Sequence, residues 1–240
     1  MKSPVLHLAL VCALALLTSP ARSCGVSASG VASCSLAEHI EETRPHWALG
    51  VSSLYTSTRL RFSGSLHGDE TRWATLGVLA YLPTPTLVLQ AGAGVAFDGS
   101  LTLPDGQYDF SAGPIGLLGL DWRVWSEGPW FGLLTSGLSV SGARTHRTGS
   151  PSASYAAVDL RLGGQLGVEL LDVLRPYALA RVFGGPVFWR HAGEDVTGTD
   201  THHFQIGAGL AVSLGRSGSI FAEGIPLGER AASAGVAVVF

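Results

Sequence analysis

The chain ends in a stretch, Arg230 to Phe240, that reads RAASAGVAVVF. Successive side chains of a β-strand point to opposite faces, so the alanines, valines and final phenylalanine at even positions 232 to 240 share one face. A strand in contact with lipid needs an apolar face of this kind. An ordinary buried strand at the end of a soluble sheet would show the same pattern. The remainder of the chain has to distinguish these two interpretations.

The first residues have the layout of a secretory signal peptide. Lys2 is followed by an apolar run from Val5 to Leu17, and then by small and turn-forming residues up to Ser23. This order predicts a signal peptide over residues 1–23. The next residue, Cys24, could alternatively be the acylated residue of a lipoprotein, although the residues before it are atypical of that class.

The composition is apolar, yet the apolar residues are dispersed. Hydrophobic residues make up 46% of the chain, charged residues 14%, and the mean hydropathy is +0.32. Beyond the leader, no run reaches the roughly 18 apolar residues that a membrane-spanning helix needs. A closed β-barrel is the other architecture that can cross a bilayer. A net charge of −3 without a basic cluster argues against a nucleic-acid partner. No metal or cofactor motif is present, so we expect neither.

Residues 24–46 are the one part that does not have a strand pattern. Cys24 and Cys34 form an even pair in an exported chain, which predicts a disulfide. A capping box that begins at Ser35 predicts a short helix over residues 36–43. We expect this segment to plug the lumen or cover its mouth, or alternatively to be a tethered leader in the periplasm.

From residue 47 onward, alternating segments are separated by turn-forming residues. An even number of strands brings both ends of a barrel to the same side of the membrane. Pro186 interrupts the seventh segment, and the first changes phase between Val51 and Leu60, so we expect bulges or rim positions there. The ten candidate strands are 47–63, 71–82, 87–98, 108–125, 130–144, 154–170, 177–190, 201–214, 219–227 and 230–240.

The two faces of these segments differ in a way that favours a barrel. Within 155–170 and 203–214 one face is aliphatic. The other face is polar and contains glycines, and in 203–214 it carries no Asp, Glu, Lys or Arg. The polar face of a soluble sandwich would carry more charge. Aromatic residues also cluster near both ends of the strands, as in the belts of a membrane protein. The predicted belts contain Trp47, Tyr81, Trp122, Trp125, Trp130, Tyr177 and Phe240 at one end, and Trp73, Phe97, Tyr108, Phe110, Tyr155, Phe188, Trp189 and Phe204 at the other.

On these residues the region 47–240 resembles the small outer-membrane β-barrels of Gram-negative bacteria. The order of polar Ser233, then Gly235, Val238 and terminal Phe240, resembles the signal in the last strand that the assembly machinery of that membrane recognises. The resemblance implies an all-β, antiparallel, up-and-down transmembrane barrel of about ten strands, preceded by a short helical and disulfide segment. It also implies an outer-membrane location, with lipid and the assembly machinery as partners, and it carries no active site. The oligomeric state stays open.

Charged residues on the polar face are expected to line the lumen. Because both signs are present, we interpret them as a structural network of paired charges rather than a binding site, since unpaired charges are costly in a constricted interior. Arg181 is expected to pair with Asp159 or Glu169. The expected network comprises Asp121, Arg123, Asp159, Arg161, Glu169, Arg181 and Glu223.

These observations predict a non-enzymatic outer-membrane barrel with a structural or narrow-pore role. One alternative is an outer-membrane enzyme that acts on lipid or peptide at the outer rim. Its candidate residues are His202 and His203, with Asp200 or Glu194 as the orienting carboxylate. The other alternative is a soluble secreted β protein.

Overall fold

The computed structural model describes residues 25–26, 32–33, 46–63, 66–149, 151–171, 173–191, 193–215 and 217–240. The signal peptide, Cys24, Cys34 and the helix predicted over 36–43 lie outside the described residues, so the leader, the disulfide and the helix stay predictions. Within the described ranges, no helix has the length and apolar character needed to cross a membrane.

Nearly all of the described chain is antiparallel β-sheet, as the alternating segments predicted. The first two strands, β1 and β2, pair only with each other, and the other thirteen form one sheet that closes on itself. The strands are β1 (Gly25–Val26), β2 (Ala32–Ser33), β3 (His46–Phe62), β4 (His67–Thr84), β5 (Leu87–Leu103), β6 (Gly106–Phe110), β7 (Gly113–Glu127), β8 (Trp130–His146), β9 (Ala153–Val168), β10 (Leu174–Gly184), β11 (Val187–His191), β12 (Glu194–Asp200), β13 (Phe204–Leu214), β14 (Gly218–Gly228) and β15 (Arg230–Val239).

The sheet has thirteen strands where about ten were expected, because two predicted segments are each divided in two and one predicted connection contains a strand. The fourth segment is interrupted between β6 and β7, the seventh is interrupted between β10 and β11, and β12 forms before the eighth. The second interruption contains Pro186, which has no N–H to donate to a neighbouring strand. These breaks allow the upper strands to change neighbours.

The lower part of the sheet is a ring of ten strands. The strand pairings follow the order β3, β4, β5, β7, β8, β9, β10, β13, β14 and β15. The ring closes where β15 pairs with β3 over ten residues, from Arg230 opposite Ser57 to Val239 opposite Ala48. We call this part the membrane ring.

The upper part closes with only eight strands. The hairpin of β14 and β15 ends at Gly228–Glu229, and above it β12 takes the place beside β3, with Gly198–Asp200 opposite Leu60–Phe62. The closed order is then β12, β3, β4, β5, β6, β8, β9 and β11. We call this part the cap. The barrel therefore narrows from ten strands to eight along its axis.

The exterior of the membrane ring is apolar and bordered by aromatic rings. On β4 the outward residues run from Trp73 to Tyr81, and the strand between these two residues is about 26 Å long. A tilted strand of that length covers roughly 20 Å of membrane, near the ~25 Å apolar band of outer-membrane barrels. Above the band the exterior becomes polar, and Arg59 pairs there with Asp69 at 2.8 Å with both side chains more than half exposed.

The predicted aromatic belts are correct for the outward-facing residues and wrong for five others. The side chains of Trp47, Trp73, Phe97, Trp122 and Phe188 are exposed on the outer face of the barrel, as expected. The remaining five contribute to the interior because their positions have the opposite parity within their strands. The inward-facing exceptions are Tyr108, Phe110, Tyr155, Tyr177 and Trp189.

The phase change in the first strand is not a bulge. β3 pairs with β4 without a shift in register from His46 to Arg61. Val51 faces outward into the apolar band with 48% of its surface exposed, whereas Leu60 faces inward with 1% exposed. The alternation continues unbroken, and the apolar face moves from outside to inside where the strand leaves the membrane ring. Only the rim interpretation therefore holds.

The interior of the cap is a packed core of aliphatic and aromatic side chains. An eight-stranded barrel is just wide enough for side chains to fill it. The wider membrane ring holds further apolar clusters, with polar layers between them. The cap core consists of Leu60, Phe62, Leu101, Leu103, Phe110, Tyr155, Val187 and Trp189.

Candidate functional site in the lumen

The lumen of the membrane ring contains two polar layers, and the lower one is centred on a buried ion pair. Arg181 on β10 donates from Nη1 to Glu223 Oε1 at 2.9 Å and from Nη2 to Oε2 at 3.3 Å. The Tyr177 hydroxyl donates to the same carboxylate at 3.0 Å. The side chains of Arg181 and Glu223 are 2% and 0% exposed. Such a two-pronged contact fixes both groups, so this pair is a rigid cross-link within the barrel.

Glycines in the intervening strand make this contact possible. Strand β13 lies between β10 and β14, and its inward positions there are Gly207 and Gly209. A Cβ atom on Gly209 would lie 2.3 Å from Cζ of Tyr177, so the phenol ring crosses β13 where a side chain is absent. The glycines on the inner face of β13 therefore leave the space through which long side chains of β10 reach β14.

The expected partners of Arg181 are wrong. Asp159 instead accepts a hydrogen bond from Arg161 Nε, and Glu169 accepts one from Arg175 Nε at 3.0 Å near the lower rim. The expectation considered only neighbouring strands, whereas Arg181 reaches across β13 to β14. Glu169 consequently belongs to a separate pair with Arg175.

The other two residues of the expected network also face the lumen. Asp121 is 1% exposed, and its Oδ2 accepts a hydrogen bond from Gln90 Nε2 at 2.9 Å. The Arg123 guanidinium lies 5.9 Å from the centre of the Phe131 ring. All seven residues thus lie on the inner face, but they form separate groups at different heights.

The upper polar layer surrounds a cavity of about 140 Å³ at the junction of the membrane ring and the cap. Leu60 and Val187 of the cap core line it on one side, and Leu76 and Leu117 of the ring line it on the other. The cavity therefore lies between two apolar layers.

Its charged lining consists of two arginines and four carboxylates. Arg161 contacts Asp159 and lies 3.1 Å from Glu229 Oε2. Asp200 accepts a hydrogen bond from the Thr58 hydroxyl at 2.8 Å. The remaining two charged residues, Glu70 and Arg72, are neighbours on the inner face of β4, with 3.7 Å between Arg72 Nε and Glu70 Oε1.

Sequence reasoning found only two of the six charged residues of this layer, Asp159 and Arg161. Glu70 had been placed just before a predicted strand, Asp200 just before another, and Glu229 in a turn. The signal that could have found them is parity, because Glu70 and Arg72 continue the inward series of β4 in steps of two. Recognising it would have required knowing that β4 extends beyond the membrane.

The residues proposed for rim catalysis do not form a catalytic group. His202 and His203 are exposed between β12 and β13, and Glu194 is exposed at the start of β12. Asp200 turns inward to Thr58. Among the described residues, the structure contains no hydrogen bond that joins either histidine to a carboxylate or a serine.

The C-terminal strand lies where the barrel closes. Phe240 N donates to Trp47 O at 2.9 Å, and Trp47 N donates to Phe240 O at 3.1 Å. The Phe240 side chain is 68% exposed. Gly235 lies beneath the Phe221 ring, because a Cβ atom there would be 2.4 Å from its Cε1.

A closed antiparallel sheet with an apolar exterior, two aromatic borders and a polar cap is a transmembrane β-barrel. This chain is therefore an outer-membrane β-barrel protein, and its exterior excludes the soluble secreted alternative.

No protein-family model and no curated protein sequence matches the chain. Three solved structures similar to it are described as an autotransporter β domain, a β-barrel domain and an outer-membrane channel. The β domain of the Bordetella autotransporter BrkA has 15% identity over 79% of this chain and 98% of that chain, with a TM-score of 0.47. The N-terminal β-barrel domain of Pseudomonas aeruginosa OprF has 13% identity over 82% and 100%, with a TM-score of 0.36. An outer-membrane channel from Pseudomonas putida F1 has 10% identity over 81% and 95%, with a TM-score of 0.34. These values carry no information about function.

Proposed function

We propose that this protein is a closed, non-conducting outer-membrane barrel with a structural role, which holds a folded polar cap above the membrane. The observation that carries the proposal is the filled cap core. Leu60, Leu101 and Trp189 are 1%, 0% and 2% exposed, and they lie directly above the charged cavity. An ion that entered from outside would have to pass through packed apolar side chains.

The lower layers support the same proposal. Beneath the cavity, the ion pair of Arg181 and Glu223 lies on the lumen wall beside a cluster that contains Phe131 and Tyr177. Further down, Ala48, Leu82, Val88 and Phe221 belong to another apolar cluster near the lower rim. Polar and apolar layers therefore alternate along the lumen. A charged solute would therefore lose its hydration repeatedly, at a high cost in free energy.

The N-terminal segment is proposed as an additional plug. β1 lies near β13, β14 and β15, whereas β2 lies near β5, which is separated from β15 in the ring by β3 and β4. The short ladder is therefore close to two separate parts of the ring. This placement supports a plugging role for residues 24–46.

Conductance in planar bilayers tests the proposal. We expect the purified, folded barrel to give no single-channel steps under conditions in which a known porin conducts. A narrow pore, the competing role, would give reproducible steps whose ion selectivity changes with Arg161→Gln. Steps of that kind in the unmodified protein would overturn the proposed function.

Chemical labelling gives an independent test in a background without cysteines. Ser139 lines the cavity, whereas Ser154 is exposed on the outside of β9. A charged, membrane-impermeant thiol reagent should label Ser154→Cys and leave Ser139→Cys unmodified in intact cells. Equal labelling of both variants would show that the lumen is open to the outside.

A further inference from the structure

The charged cavity at the junction of cap and ring is lined by more carboxylates than guanidinium groups. Four carboxylates face two guanidinium groups, so the formal charge of the lining is −2. Arg161 is shared by Asp159 and Glu229, and Arg72 is the nearest cation to Glu70. No ion pair to Asp200 is present among the described residues. The acidic side of the cavity therefore attracts a positive group.

The same cavity also contains a buried cation with hydrogen-bond donors that lack partners. Arg72 is nine-tenths buried, and its Nη1 donates to Ser141 Oγ at 3.1 Å. Its Nε and Nη2 have no hydrogen-bond partner in the part of the chain that the structure describes, although Glu70 Oε1 lies 3.7 Å from Nε. A buried guanidinium with unused donors is costly, and a carboxylate matches its planar, forked geometry. Asp159 Oδ1 is likewise buried without a hydrogen-bond partner among these residues.

The size of the cavity limits the ligand. A protein cavity of about 150 Å³ accommodates a molecule of the size of benzene, with about six heavy atoms. The present volume of about 140 Å³ is therefore suited to a compact molecule with an ammonium group at one end and a carboxylate at the other.

We propose that this cavity is a binding site for a small zwitterion of the amino-acid class. Its carboxylate accepts from the free donors of Arg72, and its ammonium group lies among Asp159, Asp200 and Glu229. The apolar residues Leu76 and Leu117 cover the carbon atoms between the two ends. This inference goes beyond a structural role, because a closed barrel can hold such a molecule without conducting ions.

Three probes of similar size separate the two ends of the site. L-alanine carries both charged groups, propionate only the carboxylate, and ethylamine only the ammonium group. Because the folded barrel gives a charged solute no open route to the cavity, the full chain is folded in detergent in the presence of each isotope-labelled probe and then freed of excess probe. NMR should detect protein-bound L-alanine. It should rank the other two at least about tenfold weaker, because a hydrogen bond to a charged group contributes that much. Absence of L-alanine binding at millimolar concentration would overturn the proposal, as would equal binding of all three probes.

A variant then assigns the carboxylate end. Arg72→Met should reduce the affinity for L-alanine to that for ethylamine, whereas Arg144→Met, at an exposed position on the cap exterior, should leave it unchanged. Heat modifiability on a gel shows whether each variant is folded. If Arg72→Met does not fold, the ranking of the three probes by the unmodified protein still decides the question. Binding of ethylamine as tightly as L-alanine would assign the cavity to a simple cation and refute the zwitterion.

Discussion

Replacing Arg181 with methionine should destabilise the barrel strongly. The change removes two hydrogen bonds, of 2.9 and 3.3 Å, from a Glu223 carboxylate that has 0% exposure, and leaves it only the Tyr177 hydroxyl. Breaking a buried pair by removal of one partner costs about 3–5 kcal/mol, which lowers the folding equilibrium constant roughly 10²- to 10⁴-fold. Urea unfolding in detergent, followed by tryptophan fluorescence, would measure this difference.

Two further variants make the reasoning refutable. The double variant Arg181→Met with Glu223→Leu removes both charges of the pair, so it should recover most of the loss. Arg59 and Asp69 form a pair of nearly the same length, 2.8 Å, with both side chains more than half exposed on the cap. Arg59→Met should therefore have no measurable effect, since exposed pairs contribute little. If Arg181→Met cost no more than Arg59→Met, or if the double variant were the least stable, the buried pair would not be the cross-link described above.

Three other outcomes follow from the packing and the exterior. Gly209→Ala should lower the free energy of unfolding by about 1–3 kcal/mol, because its Cβ would displace the Tyr177 ring that crosses there. Gly224→Ala, which has open space around its Cβ, should not change the stability in the same unfolding assay. Leu118→Arg, at a 59% exposed position in the middle of the apolar band, should lower the stability of the barrel in lipid bilayers by about 2–4 kcal/mol. The control Thr102→Arg, on the outer face of the cap, should not lower it. Deletion of Phe240 should reduce the amount of heat-modifiable barrel in the outer membrane, and an unchanged amount would contradict its role in assembly.

The barrel could be predicted from the sequence because its signals are local. Three signals each occupy a few consecutive positions: the alternation within a segment, the turn residues between segments and the apolar last strand. Together they predict the antiparallel barrel and the strands of the membrane ring. The assumption that the apolar side chains of a strand face lipid along its whole length was wrong. On β3, apolar residues face lipid near Val51 and the cap core near Leu60. The same reversal explains why Trp189 and Tyr155 were assigned to the belts.

The contacts of the lumen could not be predicted in the same way. Whether Arg181 reaches Glu223 depends on the curvature of the closed sheet and on a gap left by glycines of a third strand. The cavity likewise depends on the change from ten strands to eight, which places Asp200 and Glu229 at one height although they are 29 residues apart and lay in predicted connections. Closure brings together distant residues that no local pattern relates.

The narrowing of the barrel also means that β3 is closed by two different strands. In the membrane ring it is joined to β15 by ten residue pairs, whereas in the cap it is joined to β12 by three, from Leu60 to Phe62. Local opening of a protein begins where the fewest contacts must be broken. Backbone amides of Gly198–Asp200 should accordingly exchange with deuterium before those of Arg230–Val239. We therefore expect the two closures to belong to separate cooperative units, so that the outer unit opens and closes again while the part within the membrane keeps its hydrogen bonds.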